Sequence, residues 1–290
     1  MAAKINFNQK GASIIAVIAI MLILAVMGAA LVSLVTTGSD VSVNQLQSEQ
    51  ALYIAEGGKE FESRNLAINL DWYTSATDPM TATTLNLGAG SFTVSSKLPA
   101  TKLTAQVTLA STNPIRVYTV NRYPTNGCIL IDAEYITYTG VGSTAVACSG
   151  NPPCFTGTTR GAGACYGGGT NAAHSRGAAV YPATTLTQAL PANCTSITFT
   201  IASNSKFLTA GTLNIEGEEI AYGGSNTSGI TTTLTGVQRC MGTITNMAHA
   251  SGVPVTPILV GGDTASFQAE IVSTGTVSSA VRVIRKTTQR

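Results

Sequence analysis

From Ala12 to Ser39 the chain runs for 28 residues without a charged side chain. About 20 helical residues cross a hydrocarbon core, so this run is long enough to span a membrane. Lys4 and Lys10 precede it, which predicts a cytoplasmic N-terminus and places everything after Asp40 outside. A secretory signal would carry a shorter apolar stretch, about 7–15 residues, closed by a small-residue cleavage site. Here the apolar run passes straight into more helix-forming sequence.

Beyond Thr37 the pattern becomes amphipathic. Val43, Leu46, Tyr53, Ile54, Gly57, Phe61 and Ile68 recur at helical spacings among Gln47, Glu49, Glu56, Lys59 and Glu60. No proline occurs before Pro79, so one helix is expected from about Ser13 to about Leu66, on the order of 80 Å long. Its first half is apolar all round and needs lipid or other helices around it. Its second half presents one stripe, with Tyr53, Gly57 and Phe61, to lay on a β domain. Gly28, inside "VMGAAL", permits close helix approach or local unwinding over Val26 to Leu31.

Charged residues make up 10% of the chain, and Val and Ile are too frequent for disorder. The rest therefore reads as an extracytoplasmic β-rich chain. A net charge of +2 leaves no electrostatic footprint for nucleic acid. All six cysteines, Cys128, Cys148, Cys154, Cys165, Cys194 and Cys240, lie beyond the apolar run, as disulfides of an oxidising compartment do. No CxxC or CxxCH occurs, so zinc ribbons and c-type haem are unsupported.

The middle of the chain is duplicated. "NGCILIDAEYITYTG" (126–140) aligns with "AGTLNIEGEEIAYGG" (210–224), "FTGTTRG" (155–161) with "LTGVQRC" (234–240), and "AHSRGAAVYP" (173–182) with "AHASGVPVTP" (248–257). The offset falls from 84 to 79 to 75, so the first copy carries two insertions, and these hold Cys148, Cys154 and Cys165. Ile129, Ile131, Ile136 and Tyr138, like Leu213, Ile215, Ile220 and Tyr222, alternate as in half-buried strands, with "IDAE" and "IEGE" as tight turns. The second copy holds only Cys194 and Cys240, which predicts a bridge within it and leaves four cysteines to pair within the first. These repeats resemble short β-modules of phage virion and bacterial surface proteins, a likeness that names no ligand.

Paired carboxylates (Asp132 with Glu134, Glu216 with Glu218) and the recurring His174 and His249 raise acid–base chemistry. Acids two apart across a turn are ordinarily exposed, and a histidine in an "AH-x-x-G" turn is expected to bond local backbone. No nucleophile–base–orienter set is evident, so no catalytic residue is assigned. No D-x-D-x-D-G loop appears, so no metal or cofactor is expected at these turns or at Asp263.

A basic leader ending in glycine, an apolar helix and an amphipathic continuation resemble the type IV pilin and pseudopilin superfamily. "QKGASII" resembles a prepilin peptidase site, and "ALYIAEGGKEFE" (51–62) a segment of the PilX-like minor pilins. "GAGSFTVSS" (88–96) and "AEIVSTGTVSSAVRVIRKT" (269–287) resemble their opening and closing strands. The likeness covers roughly residues 8–98 and 262–290. It implies cleavage between Gly11 and Ala12, after a leader over 1–11. Ala12 and Ala16 stand where major pilins usually have Phe or Met and Glu, which points to a minor subunit.

The expected fold is α+β. A pilin helix over 12–70, transmembrane over 12–36, lies on an antiparallel sheet built from 71–111 and 259–290, with repeats at 112–183 and 184–258 inserted between. Residues 88–98 and 265–287 are expected to share that sheet. The resemblance implies a minor structural subunit of a type IV pilus or type II secretion pseudopilus, its β insert facing outward to bind partners or a surface, and the missing glutamate at Ala16 points to a place at or near the filament tip. Its partners would be prepilin peptidase, other pilins, an inner-membrane assembly platform and a tip adhesin. It would reside in a bacterial inner membrane and then at the cell surface. The alternative is an anchored surface-binding protein, recognising glycan or another envelope component, that never assembles.

Overall fold

A computed structural model describes residues 9–68, 82–110, 114–167, 169–195, 198–241, 247–258 and 268–289. Helix α1 spans Gln9–Ile68, 60 residues and about 90 Å at 1.5 Å rise per residue. Its hydroxyls bond back to carbonyls four residues earlier: Thr36 to Val32, Thr37 to Ser33 and Ser42 to Gly38. These polar side chains are thereby satisfied within an apolar helix. By length and composition α1 can cross a membrane, and none of its apolar window is buried by the rest of the chain.

The far end of α1 lies on a four-stranded antiparallel sheet, ordered Thr83–Leu87, Gly90–Lys97, Gln268–Val277, Ala280–Gln289. The chain is thus α+β, with a long helix on an antiparallel sheet and a β-rich duplicated region. Strand Gly90–Lys97 pairs with Gln268–Val277, which in turn pairs with Ala280–Gln289. Residues 265–267 and Asp263 lie outside the described residues, as do residues 1–8 of the expected leader.

The helix stripe differs from expectation. The buried face is Ala51, Ile54, Ala55, Gly58, Glu62 and Leu66, whereas Tyr53 is 69% exposed and Phe61 37%. Phe61 makes a tilted ring contact, its centroid 5.7 Å from that of Phe92 at an interplanar angle of 52°. Gly57 faces Leu87 rather than the sheet's centre. The face is turned one residue, about 100°, from the aromatic one. Small residues decide it. A Cβ on Gly275 would reach within 2.6 Å of the Ala55 nitrogen, so helix and strand backbones nearly touch there. A tyrosine or phenylalanine in that seam would hold the two layers apart.

The two repeats form tandem modules, each around its own core. One core gathers Leu103, Ile129, Ile136 and Phe155, the other Leu186, Leu213, Ile220 and Leu234. Each has a hairpin, Gly127–Ile131 with Glu134–Tyr138 and Gly211–Ile215 with Glu218–Tyr222. In the second turn Glu216 (φ 51°) and Gly217 (φ 94°) are both left-handed, as a two-residue hairpin turn matching strand twist requires.

The modules are joined by one strand, Ala179–Thr185. Its first part closes the first module, Val180 pairing with Ile131 and with Thr101. Its last residues open the second, Thr184 and Thr185 pairing with Val255 and Pro254. The second set repeats the first: Leu103 bridges Val117 and Val107 bridges His174, as Leu186 bridges Ile201 and Leu190 bridges His249. The first module therefore opens at Thr101, not at residue 112. The missed signal is short, "TKLT" (101–104) against "TTLT" (184–187). At the joint, Lys206 is fully buried, its Nζ donating to the Asn121 carbonyl at 3.4 Å and lying 4.9 Å above the Tyr123 ring.

All six cysteines are bridged: Cys128–Cys165 and Cys148–Cys154 in the first module, Cys194–Cys240 in the second.

Candidate functional site

The first candidate surface is α1 itself. Gly11, Ala12, Ala16 and Gly28 all lie on it, and Ala16 and Gly28 are exposed. Nothing lies within 4 Å of a Cβ built on Gly28, and the helix is continuous there. Exposed large apolar side chains form a dense run from Ile14 through Val35, about 32 Å and one hydrocarbon core long. Past the polar stretch from Thr36 to Asp40, Val41, Val43, Leu46, Leu52 and Tyr53 are exposed among polar residues. That reach from Ile14 to Tyr53 is about 60 Å at 1.5 Å per residue, about twice a hydrocarbon core. A single bilayer would cover only part of it.

The second candidate is a pair of buried polar clusters, one per module. Glu134 Oε1 and Oε2 accept from Arg160 Nε at 2.8 Å and Nη2 at 2.6 Å. His174 Nε2 lies 2.8 Å from Glu134 Oε2, and its Nδ1 lies 2.7 Å from Asp132 Oδ2. Arg160 also donates to the carbonyls of Thr108 and Ala172. The second module repeats this: Arg239 bonds Glu218 at 2.9 and 2.7 Å, and His249 bonds Glu218 at 2.6 Å and Glu216 at 2.8 Å. Arg239 likewise donates to the carbonyls of Pro191 and Met247.

The reading of these acids as exposed turn residues holds for Asp132 and Glu216, whose side chains are 62% and 42% exposed. It fails for Glu134 and Glu218, which are buried, and the histidine rings bond carboxylates rather than local backbone. Burial alone would raise both buried carboxyls. The arginine and histidine hydrogen bonds, with a backbone N–H from Ala172 in one and Cys240 in the other, outweigh it and hold both below the usual carboxylate range. Arg160 and Arg239 escaped the sequence reading, although they occupy one column of the aligned "TTRG" and "VQRC" blocks.

Chemically the clusters are latches. Both ring nitrogens of each histidine face carboxylate oxygens, which leaves neither to act as a base toward a substrate. Each arginine ties a hairpin turn to two loop carbonyls. Among the described residues no group of three or more His, Cys, Asp or Glu is arranged to hold a metal ion.

A third polar group joins the second module to the helix-bearing sheet. Glu270, buried, accepts from Thr209 N at 3.0 Å and Thr209 Oγ1 at 2.7 Å. Its other oxygen lies 3.9 Å from both Lys97 Nζ and Arg285 Nη1. Burial pushes this carboxyl up, and the Thr209 bonds with the two cations bring it below its ordinary value. Thr287 Oγ1 adds a bond to the Ala210 carbonyl at 3.1 Å.

The chain matches no protein-family model, no curated protein and no solved structure.

Proposed function

We propose that this chain is a minor pilin-like subunit of a type IV pilus or type II secretion pseudopilus, acting by assembly rather than catalysis. The observation that carries this reading is the exposed apolar side chains that α1 still carries beyond one bilayer's thickness. A permanent anchor needs apolar surface only as far as the membrane extends. A helix that leaves lipid to pack among neighbouring helices needs it further, through Val41, Leu46 and Tyr53. Between helices in lipid, specificity comes from packing and a few polar contacts. The small residues Gly28, Ala29 and Ala30 suit close approach.

Prepilin peptidase would cut between Gly11 and Ala12, and an inner-membrane platform would lift the subunit into a filament of other pilins. The two modules would face outward and meet a tip adhesin or a surface. Ala16 gives the subunit its place. A glutamate there would neutralise the free amine of a neighbour that entered earlier. A first subunit has no such neighbour, and an unpaired buried carboxylate costs several kcal/mol. Alanine therefore fits a tip position. The test is to shear filaments from cells carrying a labelled copy and to image them. Label at one end of each filament is expected. Label repeated along the shaft would contradict the tip position, and label absent from filaments would contradict assembly, favouring an anchored binding protein.

A further inference from the structure

The two modules differ on one face. Ile129, Ile131, Ile136 and Val180 enter the first module's core. Their strand neighbours Leu130, Tyr135 and Tyr181 therefore form a row on the opposite face, with Leu130 paired to both tyrosines and Tyr181 packed against the core beneath α1. In the second module the same row is Asn214, Glu219 and Thr256. Tyr166 extends the aromatic row, its ring centroid 5.2 Å from that of Tyr135 at an interplanar angle of 81°. Tyr166 belongs to the segment that is four residues longer in the first copy than in the second, as the offset change from 79 to 75 shows.

Tyr166 is held in place. Its neighbour Cys165 is bridged to Cys128 on the hairpin, and the Cys165 N–H donates to Thr137 Oγ1 at 2.7 Å. The Tyr166 backbone sits at φ 54°, a left-handed conformation that costs a bulky residue energy.

Beside this ring a cleft of about 710 Å³ opens between the modules. Cys128, Thr137 and Ala183 form its floor, Cys165 and Tyr166 one side, and Ala202 to Asn204 of the second module the other. Its open polar lining is Asn126, Thr139, Thr185, Ser203 and Asn204, the buried Thr184 hydroxyl being donated to the Ala202 carbonyl at 2.7 Å, and no lining residue carries a charge. In the second module the corner equivalent to Asn126 is Ala210, whose carbonyl is taken by Thr287 of the helix-bearing sheet. The equivalent corner there serves docking.

We propose that the intermodule cleft binds a neutral oligosaccharide, with a sugar face against Tyr166 and sugar hydroxyls on the threonine, serine and asparagine groups. Hydroxyls that both donate and accept match sugar hydroxyls. A ring with an apolar body and a polar tip suits a surface that is apolar on one face and wet at its edges. The absence of charge disfavours sulfated, phosphorylated or uronic-acid glycans, whose anions would lose water without gaining a cation. The site uses the modules alone and does not depend on assembly.

The experiment probes an array of neutral oligosaccharides, built from hexoses and N-acetylhexosamines, with the full chain solubilised in dodecylphosphocholine, a detergent without a sugar headgroup. Heparin fragments serve as charged probes. Saturation-transfer NMR then ranks the positives against Tyr166→Gly, which removes the ring and suits the left-handed backbone, and against Tyr135→Glu, which installs the second module's residue. Binding to neutral probes is expected, weakened about tenfold or more by Tyr166→Gly while the melting curve is retained. Binding to heparin alone, to nothing on the array, or equally by wild type and Tyr166→Gly would overturn the proposal. Leader processing, measured on the same preparation, reports separately on the filament reading.

Discussion

Gly58 of α1 sits against the ring of Phe92, so that a Cβ on the glycine would meet Phe92 Cδ2 at 2.6 Å. The Ser273 hydroxyl closes the same space from the next strand. Glycine in a helix costs about 1 kcal/mol against alanine. Here that cost is offset by letting the helix settle onto the sheet.

Gly58→Ala should therefore destabilise the fold by about 1–3 kcal/mol despite better helix propensity, since it overpacks the seam. Gly57→Ala, one residue along, meets only the end of the Leu87 side chain. It should be neutral or stabilising by up to about 1 kcal/mol. Urea unfolding of the two variants in micelles compares them directly, and equal losses at both positions would argue against the seam.

The buried clusters predict a strong response to truncation. Arg239→Ala leaves Glu218 with one partner fewer in a site where both side chains are almost wholly buried. The expected cost is about 3–5 kcal/mol, against a few tenths for an exposed arginine such as Arg285. Differential scanning calorimetry of Arg239→Ala and Arg285→Ala should separate them widely.

The same clusters set the acid limit. Glu134, Glu218 and Glu270 are held below their unfolded values. The stability they contribute is thus fully present above the unfolded carboxyl range, and is lost as pH falls through the folded values. Stability should hold near neutrality and decline below about pH 4.3. Glu134→Gln with Glu218→Gln, though less stable at neutral pH, should flatten that decline. A urea midpoint whose slope with pH is unchanged in the double variant would contradict this.

Loop length ranks the disulfides. Cys194–Cys240 spans 46 residues and Cys148–Cys154 spans 6. On the chain-entropy view their removal should cost about 4 and about 2 kcal/mol respectively. Paired Cys→Ser variants, compared by thermal unfolding, give the order.

Much of this architecture is legible in the sequence, for physical reasons. An uncharged run and the absence of proline before Pro79 dictate α1. Alternation dictates the strands at 90–97 and 268–289, and three recurring blocks dictate two modules. The stripe of Tyr53, Gly57 and Phe61 is not the buried face because the seam admits only small side chains where helix and strand meet most closely, at Ala51, Ala55 and Gly58. The clusters stayed hidden because their partners lie far apart in sequence, Glu134 26 residues from Arg160 and 40 from His174. The aligned blocks nonetheless share four ionisable columns, Asp132 with Glu216, Glu134 with Glu218, Arg160 with Arg239 and His174 with His249, and such columns in a duplicated core are the trace a latch of this kind leaves. The Tyr135–Tyr166 face left no such trace, since it lies where the copies differ.

The filament reading requires α1 to be a processed assembly helix and not a permanent anchor. Mass spectrometry of the N-terminal peptide, from protein purified out of cells with an active prepilin peptidase, tests it most directly. The mature chain is expected to begin at Ala12, with residues 1–11 removed, and cells lacking the peptidase are expected to yield the longer form. A chain that still begins at residue 1 or 2 in both strains would contradict it.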